Sequence, residues 1–406
     1  MAAGNDFIAS IDIGTDKIVV LVAEREDDRL RVIGQGMCPS AGVKRGVVDA
    51  IEPLSRAISK AVQQAHKSSA VDLATVRVNL SDSHLSCFEG YGKVPIIDVV
   101  TNLDVNKVLE SAQAYTMPTN KEKLHVFKKK FTINGSVKVD NPVEMDADVL
   151  ESNVHIVTVS SSSMRNIEYT LKQCDLSVEL LVLDSIASSE AMLSQEEKDN
   201  GVCLIDIGAG ITNFSVFHHG GIIHSGIVAI GGNHVTEEIA FAYGTSFNEA
   251  QRLKEVYGCV KATLISDDEF VEFAQTSNRD SHQLSSHTLA EIIEEAYLDI
   301  FSLLKNNLQY QGLDKNLKSG LVLCGGGSRI SGCEEFVRGF MSKRVKLGSI
   351  KRHNFTAPES IFDDYRYASV IGLLMYKEDV PQEGLVKAKG RAGTFGKIKD
   401  KIFGEF

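Results

Sequence analysis

Two stretches of this chain place an acid directly before a glycine turn. Residues 7 to 22 run FIASIDIGTDKIVVLV and residues 202 to 217 run VCLIDIGAGITNFSVF, so Asp12 and Asp206 each close an apolar arm. Gly14 in the first turn, and Gly208 and Gly210 in the second, permit positive φ and leave backbone N–H groups uncovered, with Ala209 adding only a methyl. A carboxylate at a buried strand end beside bare N–H groups suits a phosphate and its counter-cation. Mg²⁺ is the natural cation, held by Asp12 and Asp206 through water because it keeps much of its hydration. Thr15 and Lys17 follow the first turn and would face the same phosphates. Gly325, Gly326, Gly327 and Ser328 form a third turn that lets a nucleoside approach the main chain. Each feature alone is more often a simple turn or a cap. In this order, with the first two half a chain apart, they predict a duplicated fold closing on one nucleotide.

Those residues need strands and helices to hold them. The apolar arms predict strand, tight turn, strand at both sites. After the first hairpin the pattern predicts a strand over Leu30 to Gly36 and an amphipathic helix over Ile51 to His66. Leu54, Ile58, Ala61, Val62 and Ala65 face inward on that helix, with Asp49 as its N-cap. A strand over Val76 to Leu80 completes a mixed sheet with crossover helices. From Ser83 to Ser162 the texture changes. Strands at Gly92 to Ile97, Val126 to Ile133 and His155 to Val159 surround a helix at Asp104 to Ala114, which predicts an inserted α+β subdomain. Lys121 to Lys130 reads as a solvated loop and strand edge rather than a binding patch.

A helix over Met164 to Cys174, a strand over Val178 to Val182 and a helix from Ile186 to Leu193 lead to a polar hinge at 194 to 200. Beyond the second hairpin come helices at Asn233 to Ala242 and Phe247 to Val256, then an irregular polar stretch at 265 to 287. A long helix follows from Leu289 to Gln309, with Ile292, Ile293, Ala296, Ile300, Leu303 and Leu304 inward. Gly320 to Cys324 is a buried strand, Tyr367 to Tyr376 an apolar helix, and Pro381 to Gly390 a linker.

Bulk properties set bounds. A chain of 406 residues exceeds what one hydrophobic core usually supports, so more than one domain is expected. A net charge of −11 argues against nucleic acid as a general partner, because the phosphate backbone would repel the body of the protein. Seven cysteines without a C-x-x-C pair point to buried thiols in a reducing cytoplasm. The N-terminus has no basic region ahead of the first strand, so no signal peptide is expected. No uncharged apolar segment is long enough to span a bilayer.

The last residues differ from the rest. Phe395, Ile398, Ile402 and Phe403 fall on one helical stripe with Phe406 nearby, and Lys397, Lys399 and Lys401 flank it. Residues 387 to 406 carry six basic and two acidic groups on an acidic chain. That pattern predicts an in-plane helix anchored on an anionic lipid surface. The plainer reading is a helix docked on its own core. Gly396 and Gly404 weaken an isolated helix by about 1 kcal/mol each relative to Ala, which a helix forming only at the lipid interface tolerates.

Five stretches occur in a telling order: Ile8 to Ala23, Asp184 to Leu193, Leu204 to Phe217, Val322 to Ile330 and Tyr367 to Tyr376. They resemble the two phosphate, two connecting and one adenosine motif of the actin, Hsp70 and sugar kinase superfamily. Gly42-Val43-Lys44-Arg45-Gly46-Val47-Val48-Asp49, Leu-Ala-Glu-Ile-Ile-Glu at 289 to 294 and the block at 83 to 162 look like the FtsA family of bacterial cell-division proteins. The resemblance implies an α/β, actin-like (ribonuclease H-like) duplicated two-lobed fold with an inserted α+β subdomain. Residues 1–83, 163–197 and 355–385 would form the first lobe core, with 84–162 inserted. Residues 198–232 and 301–354 would form the second lobe core, 233–300 its smaller subdomain, and 386–406 the linker and membrane-targeting helix.

ATP and Mg²⁺ are the implied cofactors, with ATP serving assembly and turnover weak at most. The superfamily's ribose-contacting Glu-x-x-Lys appears as Gln251-Arg252-Leu253-Lys254, an amide in place of the acid. Asp184 stands where hydrolytic relatives carry a Gln or Glu that orients water, and its other reading is a helix N-cap. Asp16 puts an acid beside the phosphate turn, where a small residue would repel less. The implied role is to tether FtsZ filaments, through the FtsZ C-terminal tail, to the inner face of the cytoplasmic membrane at the division septum as a peripheral protein. Self-polymerisation and recruitment of later divisome membrane proteins belong to the same expectation. A PilM-like pilus assembly scaffold shares the actin core and a comparable insertion, but its relatives lack a basic amphipathic tail. A sugar-kinase-class phosphotransferase would need a further catalytic acid in a substrate cleft, and none stands out.

Overall fold

Unbroken apolar runs make strands that need cover on both faces. The computed structural model describes residues 7–378 apart from 28, 115–116, 267–268, 276–280 and 353–354. In it β1 (Phe7–Ile13), β2 (Lys17–Glu26) and β3 (Arg29–Pro39) form an antiparallel meander, and β1 and β2 are buried along nearly their whole length. A small hairpin, β4 (Val43–Lys44) and β5 (Val47–Val48), leads into α1 (Ile51–Ser69), and β6 (Thr75–Leu80) returns parallel to β1. The helix lies close on β3, since a Cβ on Gly36 would stand 1.9 Å from the Ala61 carbonyl oxygen. Asp49 does not cap α1. Its backbone N–H and that of Ala50 both donate to Gly42 O, Ala50 takes the N-cap position, and no side chain caps it.

The insertion folds as its own layer pair. It comprises β7 (Ser86–Pro95), α2 (Asn102–Gln113), β8 (Lys121–Ile133), β9 (Val137–Val139) and β10 (Val149–Ser160), with sheet order β7-β10-β8-β9. Val108, Phe131, Leu150 and Ile156 are among its separate core. The strands outrun their apolar segments because backbone pairing continues through alternate charged positions such as Lys93 and Glu151, which face each other in an ion pair. Lys121 to Lys130 is therefore strand throughout rather than part loop. Leu124, His125 and Val126 within it are buried, while Lys129 and Lys130 pair with Glu89 and Asp140.

The chain returns through α3 (Ser161–Lys172), β11 (Ser177–Leu183) parallel to β6, α4 (Asp184–Met192) and α5 (Gln195–Asn200). The expected hinge at 194 to 200 is thus helical. Ser194 and Glu197 satisfy each other's backbone N–H groups in a capping box, a signal present in the sequence as Ser-x-x-Glu. Next come β12 (Val202–Ile207), β13 (Thr212–His218), β14 (Gly221–Val228), α6 (Gly232–Tyr243) and α7 (Phe247–Tyr257). The stretch at 265 to 287 is not wholly irregular, since β15 (Phe270–Ala274) and β16 (Ser281–Ser285) pair as a hairpin. The long helix is α8 (Ser286–Tyr310). Tyr297 is buried in it and Leu303 is 51% exposed, against the expectation that Leu303 faces inward. The remaining elements are β17 (Gly320–Cys324), α9 (Cys333–Met341), β18 (Val345–Leu347), β19 (Phe355–Thr356), α10 (Glu359–Phe362) and α11 (Ala368–Met375).

The two large sheets repeat one plan. Their orders are β11-β6-β1-β2-β3-β19 and β14-β13-β12-β17-β18. In each, an antiparallel meander begins on a strand whose other edge pairs with a parallel one, β6 or β17. The second sheet joins two cores. Val202 and Leu204 pack with the first-sheet cluster, and the alternate residues Cys203, Ile205 and Ile207 pack with the second. Helices α4 and α11 cross between the sheets with backbone nearly touching, for a Cβ on Gly372 would fall 1.7 Å from Ala187 O. Phe395, Lys397, Ile398, Lys399, Lys401, Ile402, Phe403 and Phe406, the expected membrane helix, lie outside the described residues.

Candidate functional site

The turns at Gly14 and Gly208 are built alike. Gly14 N donates to Lys17 O and Gly208 N to Ile211 O, each at 3.0 Å, which closes the hairpin and leaves the acid on the preceding strand at its mouth. The two turns and the glycine turn after β17 line one cavity of about 630 Å³ between the sheets. Asp12, Gly14, Thr15, Asp16, Lys17, Asp184, Asp206, Gly208, Ala209, Gly210, Gln251, Lys254, Gly325, Gly326 and Gly327 all reach it. Ser328 does not: it is buried, and its hydroxyl donates back to Gly325 O at 2.8 Å.

At the floor, three acids are held by amides and hydroxyls. Asn79, at the end of β6, donates from Nδ2 to Asp12 Oδ1 at 2.6 Å and to Asp184 Oδ1 at 2.9 Å, while its Oδ1 accepts from Ile13 N at 2.7 Å. Asn213 donates to Asp184 Oδ2 at 3.2 Å, and Ser188 donates to Asp206 Oδ2 at 2.9 Å. Asp184 is therefore no cap. It is the first residue of α4, Leu183 holds the N-cap position, and the Asp184 carboxylate points into this network. Burial, and then the charge of Asp184, push the Asp12 carboxyl up to about 8 and that of Asp206 up to about 7.

Lys17 only partly offsets the negative charge gathered here, and a divalent cation would supply the rest. Asn213 Oδ1, buried beside them, has no hydrogen-bond partner, an acceptor left over next to the acids. Among the described residues no group of three His, Cys, Asp or Glu side chains could hold a metal ion directly, so an ion here fits through its own water on Asp12 and Asp206. Bound there, Mg²⁺ would offset the charge of phosphate oxygens.

The glycines keep the cleft open. At Gly325, with φ +79°, a Cβ would lie 2.3 Å from Asp206 Oδ1, and on Gly210 it would lie 2.6 Å from Thr15 Oγ1. Thr15 Oγ1 itself accepts from Gly46 N at 3.2 Å, which ties the β4–β5 hairpin to the first turn. On the far wall Lys254 donates to Gly232 O at 2.8 Å and to Thr236 Oγ1 at 2.6 Å, and burial pushes its ammonium down to about 8. Gln251 Oε1 accepts from the Thr236 hydroxyl at 2.6 Å and keeps a second lone pair for a ligand. Asn79, Asn213 and Ser188 escape the sequence reading. Asn79 carries the one hint, a polar residue amid the apolar Val76, Val78 and Leu80 of a buried strand.

Set against known proteins, the chain is 33% identical over 383 residues to the cell division protein FtsA of Pseudomonas aeruginosa, covering 93% of this chain and 91% of that one. The chain belongs to the FtsA family. FtsA of Escherichia coli K12 is 30% identical, with 96% and 94% covered, and FtsA of Borreliella burgdorferi 31% identical, with 99% and 98% covered. The family profile "Cell division protein FtsA" matches residues 203–372, and "SHS2 domain inserted in FTSA" matches residues 82–158, the block read as an insertion. The profile "Type IV pilus assembly protein PilM" matches residues 136–259. Among solved structures, a PilM-PilN type IV pilus biogenesis complex aligns with a TM-score of 0.63 at 14% identity over 90% of this chain and 97% of that one. MreB5 of Spiroplasma citri bound to ADP aligns at 0.56 and 12%, over 91% and 95%. These likenesses show the actin-like fold, and the FtsA assignment makes this a cell division protein of that fold.

Proposed function

We propose that the cleft binds Mg²⁺ and ATP, and that the nucleotide-bound chain polymerises on the inner face of the cytoplasmic membrane and tethers FtsZ filaments there. One observation carries the nucleotide reading: two Asp-Ile-Gly turns from distant parts of an FtsA-family chain face one cavity with a glycine turn beside them. The same fold holds ADP in MreB5 of Spiroplasma citri. Phosphates would meet the backbone at Gly14 and Gly208 to Gly210 with Lys17 alongside, and the nucleoside would lie against Gly325 to Gly327, with Gln251 and Lys254 toward the ribose. Asp184 would orient water for slow hydrolysis. The lobes divide at the boundaries given above, with residues 233–300 receiving the FtsZ C-terminal tail and the insertion serving self-association and later divisome membrane proteins. The tail at 386 to 406, linker and expected amphipathic helix, would hold the protein peripherally on anionic lipid at the division septum. No helix among the described residues is long and apolar enough to cross a membrane.

Sedimentation with anionic liposomes tests this. The full chain is expected to pellet with the vesicles and to bring FtsZ down with it, and a chain lacking 391 to 406 to stay in solution. Equal pelleting of both chains would remove the anchor, and FtsZ left in the supernatant would remove the tether.

A further inference from the structure

One side chain that lines the cavity, Tyr365, is used by none of these roles. Tyr365 begins a short 3-10 turn, Tyr365–Tyr367, between α10 and α11, and Asp364 fixes that turn by accepting from the Arg366 backbone N–H and guanidinium. The Tyr365 ring lines the cavity, and a Cβ on Gly326 would meet it at 3.6 Å, ordinary van der Waals contact. Two cations address the ring. Lys17 Nζ, from the first phosphate turn, lies 5.9 Å from the ring centroid, and the Arg329 guanidinium, from the end of the glycine turn after β17, lies 5.2 Å away. Both distances fall within the reach of cation–π attraction. One ring thus touches a cation from each side of the cleft.

Building on the nucleotide reading, we infer that Tyr365 is a nucleotide-retaining residue, a bolt that joins the two sides over a bound nucleoside polyphosphate and sets its rate of escape. A nucleotide lying from the Gly325 to Gly327 turn toward the phosphate turns would share the cavity with Lys17, Arg329 and this ring. With the ring between them, those cations stay over the cavity and the two walls stay together. Without it, each cation is free to swing into solvent, and the walls part at lower cost. The attraction depends on the ring face rather than on the phenol oxygen, so phenylalanine should serve as well as tyrosine. Departure suffers more than arrival, since the contacts must break before the ligand leaves.

The experiment is stopped-flow displacement of a fluorescent N-methylanthraniloyl ATP from the full chain by excess ATP, with Mg²⁺ present. Tyr365→Ala is expected to raise the dissociation rate about 10-fold while changing association less than about twofold, and Tyr365→Phe to stay within about twofold of the unsubstituted chain. Arg329→Gln should raise dissociation about 3-fold alone and add nothing further to Tyr365→Ala, because the ring is already gone. An unchanged dissociation rate in Tyr365→Ala, a Phe variant as leaky as Ala, or fully additive effects would each overturn the bolt while leaving nucleotide binding intact. Failure of the unsubstituted chain to bind the analogue would instead overturn the nucleotide reading, and the bolt with it.

Discussion

His125 offers a test with a sign that the structure fixes. It lies fully buried where the inserted sheet meets the first one, with Nε2 accepting from Leu183 N at 2.9 Å and Nδ1 3.2 Å from the Tyr376 hydroxyl. Burial pushes its imidazole down from 6.5 to about 3, because the charged ring would lose its solvation and a proton on Nε2 would break the bond from Leu183. Since the folded value lies below the unfolded one, the unfolded chain binds the extra proton between them. The His125 contribution is therefore intact above about pH 6.5 and is lost as pH falls toward the folded value. At pH 5 the loss comes to about 2 kcal/mol. His125→Gln keeps an acceptor for Leu183 N and removes the titration. In urea unfolding followed by far-UV circular dichroism, the stability difference between the full chain and this variant should shift by about 2 kcal/mol in the variant's favour between pH 7.5 and pH 5. Asp12 and Asp206, shifted upward, titrate in both chains and cancel in that difference. A difference that does not move with pH would refute the reasoning.

Other outcomes follow from the same contacts. Gly372→Ala must force α11 off α4, at a cost of about 1–3 kcal/mol or more, seen as a lowered thermal midpoint; an unchanged midpoint would mean the crossing is slack. Asn79→Ala removes the donor shared by Asp12 and Asp184, and should weaken Mg²⁺-dependent ATP binding about 10- to 100-fold in titration calorimetry; unaltered affinity would show that the acids hold their places without it. Asp184→Ala should cut ATP turnover about 100-fold while binding persists; an equal rate would leave Asp184 a purely structural acid.

Much of this was legible because it is local. Both Asp-Ile-Gly hairpins announce themselves by apolar runs, an acid and glycines within sixteen residues, and the periodicities of α1 and α8 follow from a single buried face each. What escaped depends on neighbours far along the chain. Asn79 matters because β6 lies parallel to β1, 67 residues back, and Tyr365 because the turn before α11 crosses to the glycine loop. Pairing also hides structure. The ends of β7 and β10 and the β15–β16 hairpin are stabilised by partner strands whose registers no single segment encodes. The helix at 195 to 200 is a different case, since Ser194 and Glu197 signalled it and polar composition masked the signal.

The alternation along β12 reaches beyond packing. Val202, Leu204, Phe217 and Val322 belong to the first-sheet core, and Cys203, Ile205, Phe214 and Leu323 to the second. A chain divided after residue 197 would leave the latter half with an apolar sheet face uncovered by its first-sheet partners, so neither half is expected to fold alone. The molecule should melt as one body, and a dissected second half should aggregate. An opening of the cleft would then have to be a tilt about that shared seam, with the smallest excursion beside it, where the three acids lie.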